Sequence, residues 1–282
     1  MFGSLFAATV FLGARSPSVT PVWGVTIDDL SYVDQLVTAL GGLRAKPTAR
    51  IVFDLSAGPS YYTDALQQLE PVANILGEPI DSSPPSGQMT VSQYVARMTQ
   101  YMQGLGPLVN IWEIGNEVNG DWTCPSMEMG EKLYGTYCQA QSMHLQTALT
   151  LFYSPYFIGT DREMVTWSLT YLSATVRNGV DYVLVSYYPT SIAGGPHWPA
   201  IFKRLGAVFP NAKLGFGELG LANPDGTLSN NQAGKSALIR KMYDAGSFYP
   251  GRYIGGYFWW TFAEDAVPQG TGLWRTFYNV IH

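Results

Sequence analysis

The stretch VWGVTIDDLSYVDQLVTAL (Val22–Leu40) sets the pattern for the whole chain. Val22–Ile27 is a short apolar run of strand character. After it, Val33, Leu36, Val37 and Leu40 fall at i, i+3, i+4 and i+7, the stripe of an amphipathic helix. The turn between them reads Asp28, Asp29, Leu30. An open dinucleotide-binding sheet would place G-x-G-x-x-G there, and no phosphate-binding P-loop occurs either.

The same strand–helix unit recurs along the sequence. Further strand-like runs are Ala49–Leu55, Val72–Leu76, Leu108–Ile114, Ala148–Tyr153, Asp181–Tyr187, Lys213–Glu218 and Ile254–Thr261. Helical spacing follows in Val91, Tyr94, Val95, Met98 and Met102, and across Glu163–Arg177, Pro199–Phe209 and Gln232–Ala245, with a less distinct helix ending near Leu145. Near-continuous apolar strands alternating with helices imply a parallel sheet covered on its faces. Eight such units predict a single-domain (β/α)8 TIM barrel over residues 22–282.

Composition agrees with a large packed core. Of 282 residues, 46% are hydrophobic and only 13% charged, about half the usual share of charge. A formal net charge of -5 argues against a nucleic-acid or anionic-membrane partner. Aromatics reach 14%, including 8 Trp and 18 Tyr, more than a core alone calls for, and flat faces suit sugar rings. Residues 1–21 include the apolar run Met1–Gly13 without a basic residue before it, which reads as a signal remnant or a first buried segment. No run reaches the roughly 20 apolar residues of a membrane span. The loop-like setting of Cys124 suggests a disulfide to Cys138, closing a loop of about 15 residues and worth up to about 3 kcal/mol. The alternative is two buried free thiols. The disulfide and the apolar N-terminus together point to a secreted protein. Oligomeric state is not encoded in any motif.

In such a barrel, chemistry gathers where the strands end at the C-terminal face. Those ends carry Asp28 and Asp29, Asp54, Glu78 and Asp81, Asn116 and Glu117, Ser186, Tyr187 and Tyr188, Glu218, then Trp259, Trp260, Glu264 and Asp265. They offer carboxylates and aromatics, with no Ser nucleophile elbow, and His144, His197 and His282 match no metal-ligand spacing. This inventory suits cleavage of a glycosidic bond, which takes two carboxyl groups flanking an oxocarbenium-like centre. Glu117 ends IWEIGNE (Ile111–Glu117), and Glu218 lies in LGFGELG (Leu214–Gly220), where glycines leave room beside the carboxylate. From the fourth and seventh strands the two could approach to about 5–5.5 Å, the retaining separation, against about 6.5–9.5 Å for an inverting pair.

WEIGNEVNGDW (Trp112–Trp122) resembles the fourth-strand Asn-Glu motif of clan A glycoside hydrolases, above all the forms found in families 39 and 51. The resemblance implies Glu117 as general acid/base, Glu218 as nucleophile and Asn116 as the ligand of the sugar 2-hydroxyl. It further implies a sixth-strand tyrosine, Tyr187 or Tyr188, turned toward the nucleophile, and an eighth-strand platform, Trp259 or Trp260. Val118 stands where many clan members have Pro. Arg50 lies at the beginning of the second run rather than near its end, where it would support the base of the barrel.

The remaining residues carry two readings each. Glu113, four residues before Glu117, reads as a hydrogen-bonded interior acid. Asp54 and Asp28 either bind sugar hydroxyls or cap the next helix. Glu264 and Asp265 read as rim residues. Trp122 reads as a subsite platform. Alternation allows only one of Trp259 and Trp260 to face the site. His197 and Trp198 either rim the cleft or staple the next helix. The sequence therefore predicts a retaining, endo-acting hydrolase of a β-linked oligo- or polysaccharide, working without cofactor or metal. An exo-acting glycosidase or a transglycosylase would use the same glutamates, and a catalytically silent carbohydrate-binding barrel is the reading from another class.

Overall fold

A computed structural model describes residues 22–282. Eight strands occur among these residues: β1 Val22–Ile27, β2 Thr48–Val52, β3 Asn74–Glu78, β4 Ile111–Gly115, β5 Thr147–Phe152, β6 Tyr182–Tyr187, β7 Lys213–Leu219 and β8 Gly255–Trp259. Every neighbouring pair is parallel, and β8 returns to β1 to close the barrel. The helices are α1 Val33–Gly41, α2 Thr63–Leu69, α3 Pro84–Gly87, α4 Val91–Leu105, α5 Ser126–Ser142, α6 Met164–Tyr171, α7 Ala174–Gly179, α8 Trp198–Val208, α9 Gln232–Tyr243, α10 Phe262–Ala266 and α11 Gly272–Val280. The protein is a (β/α)8 barrel. The expected N-terminal segment, residues 1–21, lies outside the described residues.

Strand alternation divides the core into two layers. Ala49, Ile51, Trp112, Ile114, Leu149, Leu151, Val183 and Val185 pack outward in one cluster with helix residues such as Leu36, Leu66, Met98 and Leu133. Val22, Leu76, Ile111, Ala148, Tyr182, Leu184, Ile254 and Phe258 form a separate inner cluster. Buried polar residues continue the inner alternation: Thr48 and Arg50 on β2, Glu78 on β3, Glu113 on β4 and Thr150 on β5. The barrel is therefore apolar below and ionic above.

Several boundaries differ from the sequence reading. The strand expected at Val72–Leu76 runs two residues later, because Ala73 ends its α2 turn by bonding Leu69 O, which leaves Glu78 inside the strand. The second strand starts at Thr48, so Arg50 sits in its middle. The helix expected over Glu163–Arg177 is two, since Leu172 turns extended and Ser173 caps α7 by accepting from Val176 N at 3.3 Å. The Cys124–Cys138 disulfide is corrected. Both thiols are free, Cys124 buried and Cys138 exposed. Cys124 precedes α5, whereas Cys138 sits about 18 Å along its axis from Ser126, at 1.5 Å per residue. A disulfide needs Cα atoms within about 7 Å. Among the described residues no helix is long and apolar enough to cross a membrane.

Candidate active site

Two irregularities aim the central glutamates. On β7 the register against β6 runs Val185 with Phe216, then Ser186 with Glu218, skipping Gly217. Leu214 and Phe216 face outward, so strict alternation would send Glu218 outward too. The inserted residue turns Glu218 into the barrel mouth, as a β-bulge re-aims a side chain. Gly217 suits this place because a Cβ there would lie 2.6 Å from Thr150 Oγ1 and 2.8 Å from Leu184 Cβ. On β4 a matching shift falls between Glu113 and Gly115. Just beyond it, Glu117 adopts φ 46°, a left-handed conformation that costs a non-glycine residue roughly 1–3 kcal/mol.

Glu218 is surrounded by donors. Tyr188 Oη donates to its Oε2 at 2.5 Å, and Asn116 Nδ2 donates to Oε1 at 3.0 Å. Arg50 Nη2 stands 2.9 Å from Oε1. Burial raises the Glu218 carboxyl above its ordinary value, and Arg50 and the Tyr188 hydroxyl offset part of that rise. Tyr188 itself is pushed well above the usual phenol range by burial and by the charges of Glu218 and Glu117, so it remains a donor. Of the sixth-strand pair it is thus Tyr188 that meets Glu218. Tyr187 lines the cleft and packs edge-on against Trp198 at 4.8 Å and Tyr153 at 5.9 Å.

Glu117 has a poorer environment. Its Oε2 accepts from Ser82 Oγ at 2.9 Å. Burial, then the charge of Glu218, holds its carboxyl well above the ordinary value, against the opposing hydrogen bond from Ser82. Two carboxyls at one mouth thus differ in environment: burial and the neighbouring charge disfavour the anion at Glu117, whereas donors converge on Glu218.

Arg50 corrects the sequence expectation that it would support the barrel base. From mid-strand it reaches upward, with Nε 2.6 Å from Glu113 and Nη2 close to both Glu78 (2.8 Å) and Glu218. Glu113 is the interior acid expected, accepting from Arg50 and from Thr150 Oγ1. Carboxylate oxygens of Glu78, Asp81 and Glu218 come within 4.8 Å of one another, a spacing a cation could use. Arg50 Nη2 already supplies positive charge between two of the three.

Above these residues opens a cleft of about 940 Å³. Its floor is Asp81, Ser82, Glu117, Glu218 and Trp260, and its walls come from the loops after β5, β6 and β7, including Phe152–Tyr156, Tyr187–Ser191 and Asn223. Tyr156 is 89% exposed on its rim. Trp260 faces Arg50 with the guanidinium 5.9 Å from the ring centre. Trp259 does not face the cleft: it is buried on the outer side, near Phe277, and donates from Nε1 to Asp265 at 2.8 Å. That outcome fits alternation at the end of β8 and removes Trp259 as a platform.

Other expected site residues lie elsewhere. Asp54 folds back on its own loop, accepting from Ser56 N at 2.6 Å and Ser56 Oγ at 2.5 Å, and does not line the cleft. Trp122 meets the cleft residue Phe152 edge-on at 5.0 Å without lining the cleft itself. Asp265 pairs with Lys235 at 2.6 Å, and Glu264 joins Asp28 and Asp29 in a separate acidic pocket, where burial raises Asp28. Trp198 opens α8 and is buried among Tyr187, Phe202 and Phe216, whereas His197 lines a small side pocket. Sequence reasoning missed Ser82 and the reach of Arg50. The available signal for Ser82 was the cluster of serines and prolines, Ser82 to Pro85, that follows Asp81 after the third strand.

No protein-family model and no curated protein matches the sequence. Solved structures do match in fold. A family GH128 endo-β-1,3-glucanase from Pseudomonas viridiflava has a TM-score of 0.58 at 11% identity, covering 92% of this chain and 97% of that one. An endo-1,4-β-xylanase from Penicillium canescens gives 0.54 at 13%, covering 93% and 94%. An FMN-binding β-glucuronidase from Facaelibacterium prausnitzii L2-6 gives 0.53 at 16%, covering 87% of this chain but only 38% of that one, so the chain spans under two fifths of its length. At these identities the shared property is the barrel.

Proposed function

We propose that this protein is a retaining glycoside hydrolase that cleaves β-linked glycans, with Glu117 as acid/base and Glu218 as nucleophile. The observation that carries the reading is the unequal provision of the two glutamates: Tyr188, Asn116 and Arg50 converge on Glu218, while burial and the Glu218 charge keep Glu117 protonated. The resemblance of Trp112–Trp122 to the clan A motif and the glycoside hydrolases among the fold neighbours support it.

In the first step Glu218 attacks the anomeric carbon, the glycosidic C–O bond breaks, and Glu117 gives its proton to the departing oxygen. The sugar is then held as an ester of Glu218. Glu117, now a carboxylate, takes a proton from water, whose oxygen replaces Glu218 at the anomeric carbon. The sugar 2-hydroxyl falls to Asn116, the role the clan A resemblance gives this residue, which here bonds Glu218 Oε1, and Trp260 offers an apolar face to the cleft. The open cleft supports endo action on a polymer.

The test is hydrolysis of a panel of β-glucans, xylans, mannans, galactans and aryl glycosides by the native protein, Glu117→Gln and Glu218→Gln. Both variants should lose polysaccharide cleavage. Glu117→Gln should still release an acidic phenol, which departs without a proton, and the first product should keep the β configuration by NMR. Binding without turnover on any sugar would favour the silent carbohydrate-binding barrel, and an α product would exclude retention.

A further inference from the structure

Arg50 is one guanidinium set among three buried carboxyls, Glu78, Glu113 and Glu218, at 2.6–2.9 Å. Were all three ionised, two negative charges would stand uncompensated in a desolvated interior, which proteins avoid by protonation. The distribution of donors says where a proton resides. Glu218 accepts from Tyr188 and Asn116, and Glu113 accepts from Arg50 Nε and Thr150, so each is provided for as a carboxylate. Among the described residues, neither oxygen of Glu78 has a hydrogen-bond partner; Arg50 Nη2 is near at 2.8 Å but not in hydrogen-bonding alignment. A fully buried carboxylate without donors is the least favourable of the three.

We propose that Glu78 is a neutral carboxylic acid in the working protein, a positioning residue that sits against Arg50 while leaving the guanidinium charge to Glu218. The groups facing it are Arg50 on β2, Glu113 on β4, Glu218 on β7, Asp81 just beyond β3, and Tyr94 on α4. Burial and the three other carboxylates push its carboxyl well above the ordinary range, outweighing Arg50. The consequence falls on Glu218. An anion at Glu78 would share the same nitrogen and make Glu218 more basic. A neutral Glu78 keeps Glu218 ionised to lower pH and makes it a better leaving group when the glycosyl ester is hydrolysed. This role for Glu218 rests on the function proposed above; the charge state of Glu78 does not.

The experiment is NMR of the full chain labelled with 13C at the glutamate side-chain carboxyls, comparing native protein with Glu78→Gln at pH 7. The resonance that disappears should be that of a protonated carboxyl; loss of a carboxylate resonance overturns the proposal. Should Glu78→Gln fail to fold, Glu117→Gln serves. The native spectrum should then hold protonated signals from Glu78 and Glu117, and one should survive in the variant; none surviving overturns it. On an aryl glycoside, Glu78→Gln should leave the acid limb of kcat/KM in place. Removing an anion from Arg50 would instead move that limb down by about one pH unit or more, tenfold in the Glu218 equilibrium. Absence of any turnover would count against the hydrolase reading alone, since the NMR result stands without it.

Discussion

Tyr188 Oη lies 2.5 Å from Oε2 of Glu218, a charge-assisted hydrogen bond between the end of β6 and the bulged end of β7. A hydrogen bond to a charged group contributes about 1.5–3 kcal/mol. Tyr188→Phe is therefore expected to lower kcat/KM on a cleaved glycoside by about 10–100-fold. The acid limb of its pH profile should rise, because the Tyr188 hydroxyl lowers the Glu218 carboxyl in the native protein. A full pH–rate profile checks this; a drop in rate with an unmoved acid limb would assign Tyr188 to substrate contact instead.

Arg50 is expected to hold the barrel mouth together as well as to charge Glu218. Breaking a buried ion pair from one side costs about 3–5 kcal/mol. Arg50→Met should lower the stability at neutral pH by about that much, leaving Glu113 and Glu218 without their cation. Lowering the pH protonates the stranded Glu218 carboxyl, which Arg50 holds down in the native protein, so the gap between variant and native protein should narrow from pH 7 to pH 4. Urea unfolding at both values measures it, and a gap that stays constant would mean that Arg50 acts by packing.

Gly217 tests whether the bulge aims Glu218. Adding a methyl at this position would press into Thr150 and Leu184, both buried and fixed by the strands on either side. Overpacking of this kind typically costs about 1–3 kcal/mol. Gly217→Ala should lose activity beyond what its melting temperature explains, because relief comes most easily by sliding β7 and turning Glu218 away. A variant that loses stability but keeps kcat would show that Glu218 is aimed by other means.

The glycines around Glu218 illustrate what the sequence holds and what it withholds. LGFGELG announces a carboxylate with space beside it, and the repeating strand–helix pattern announces the barrel. Period-two alternation alone, however, sends Glu218 outward, because a bulge is a disagreement between two strands and has no signature in one. Arg50 failed for a related reason. A strand boundary misplaced by a residue or two changes which level of the barrel a side chain occupies, and a long side chain then reaches further still. Asp54 looked like a strand-end ligand, but the Ser56 two residues later gives it a local turn to satisfy. Nothing in sequence separates Tyr188 from Tyr187; the hydrogen bond from the Tyr188 hydroxyl to Glu218 does.

The cleft predicts discrimination by charge. Asp81 and Glu218 place carboxylates in it, Glu117 holding its proton, and no Lys or Arg occurs among the described residues that line it. Two like charges 4 Å apart near a protein surface repel by about 4 kcal/mol, and a tenfold change in rate needs about 1.36 kcal/mol. For any neutral sugar that is cleaved, the corresponding uronide should therefore have a kcat/KM at least about tenfold lower. Matched aryl glycosides and glucuronides, or oligosaccharides before and after oxidation at C6, give the comparison. Equal rates would mean that the carboxylate of the substrate points away from the floor.

The proton held on Glu117 should make this residue a burden to the fold at neutral pH. Its carboxyl is raised well above the ordinary value by burial and by Glu218. In the unfolded chain it would ionise near the ordinary glutamate value, about 4.3. Between that value and the raised one, the folded state binds more protons than the unfolded state, so stability falls as pH rises. Below the unfolded value both states are protonated, and the penalty vanishes. Glu117→Gln replaces the acid with a neutral group of the same shape and removes the titration. The variant is expected to melt higher than the native protein at pH 7, where each kcal/mol corresponds to about 2–4 °C in a domain of about this size. At pH 4 the two should melt together. This gain would accompany the loss of polysaccharide cleavage, as when an active site holds a group its surroundings disfavour. Calorimetry at the two pH values is the measurement. A Glu117→Gln protein less stable than native at pH 7 would mean that Glu117 is ionised in the fold and is not the proton donor.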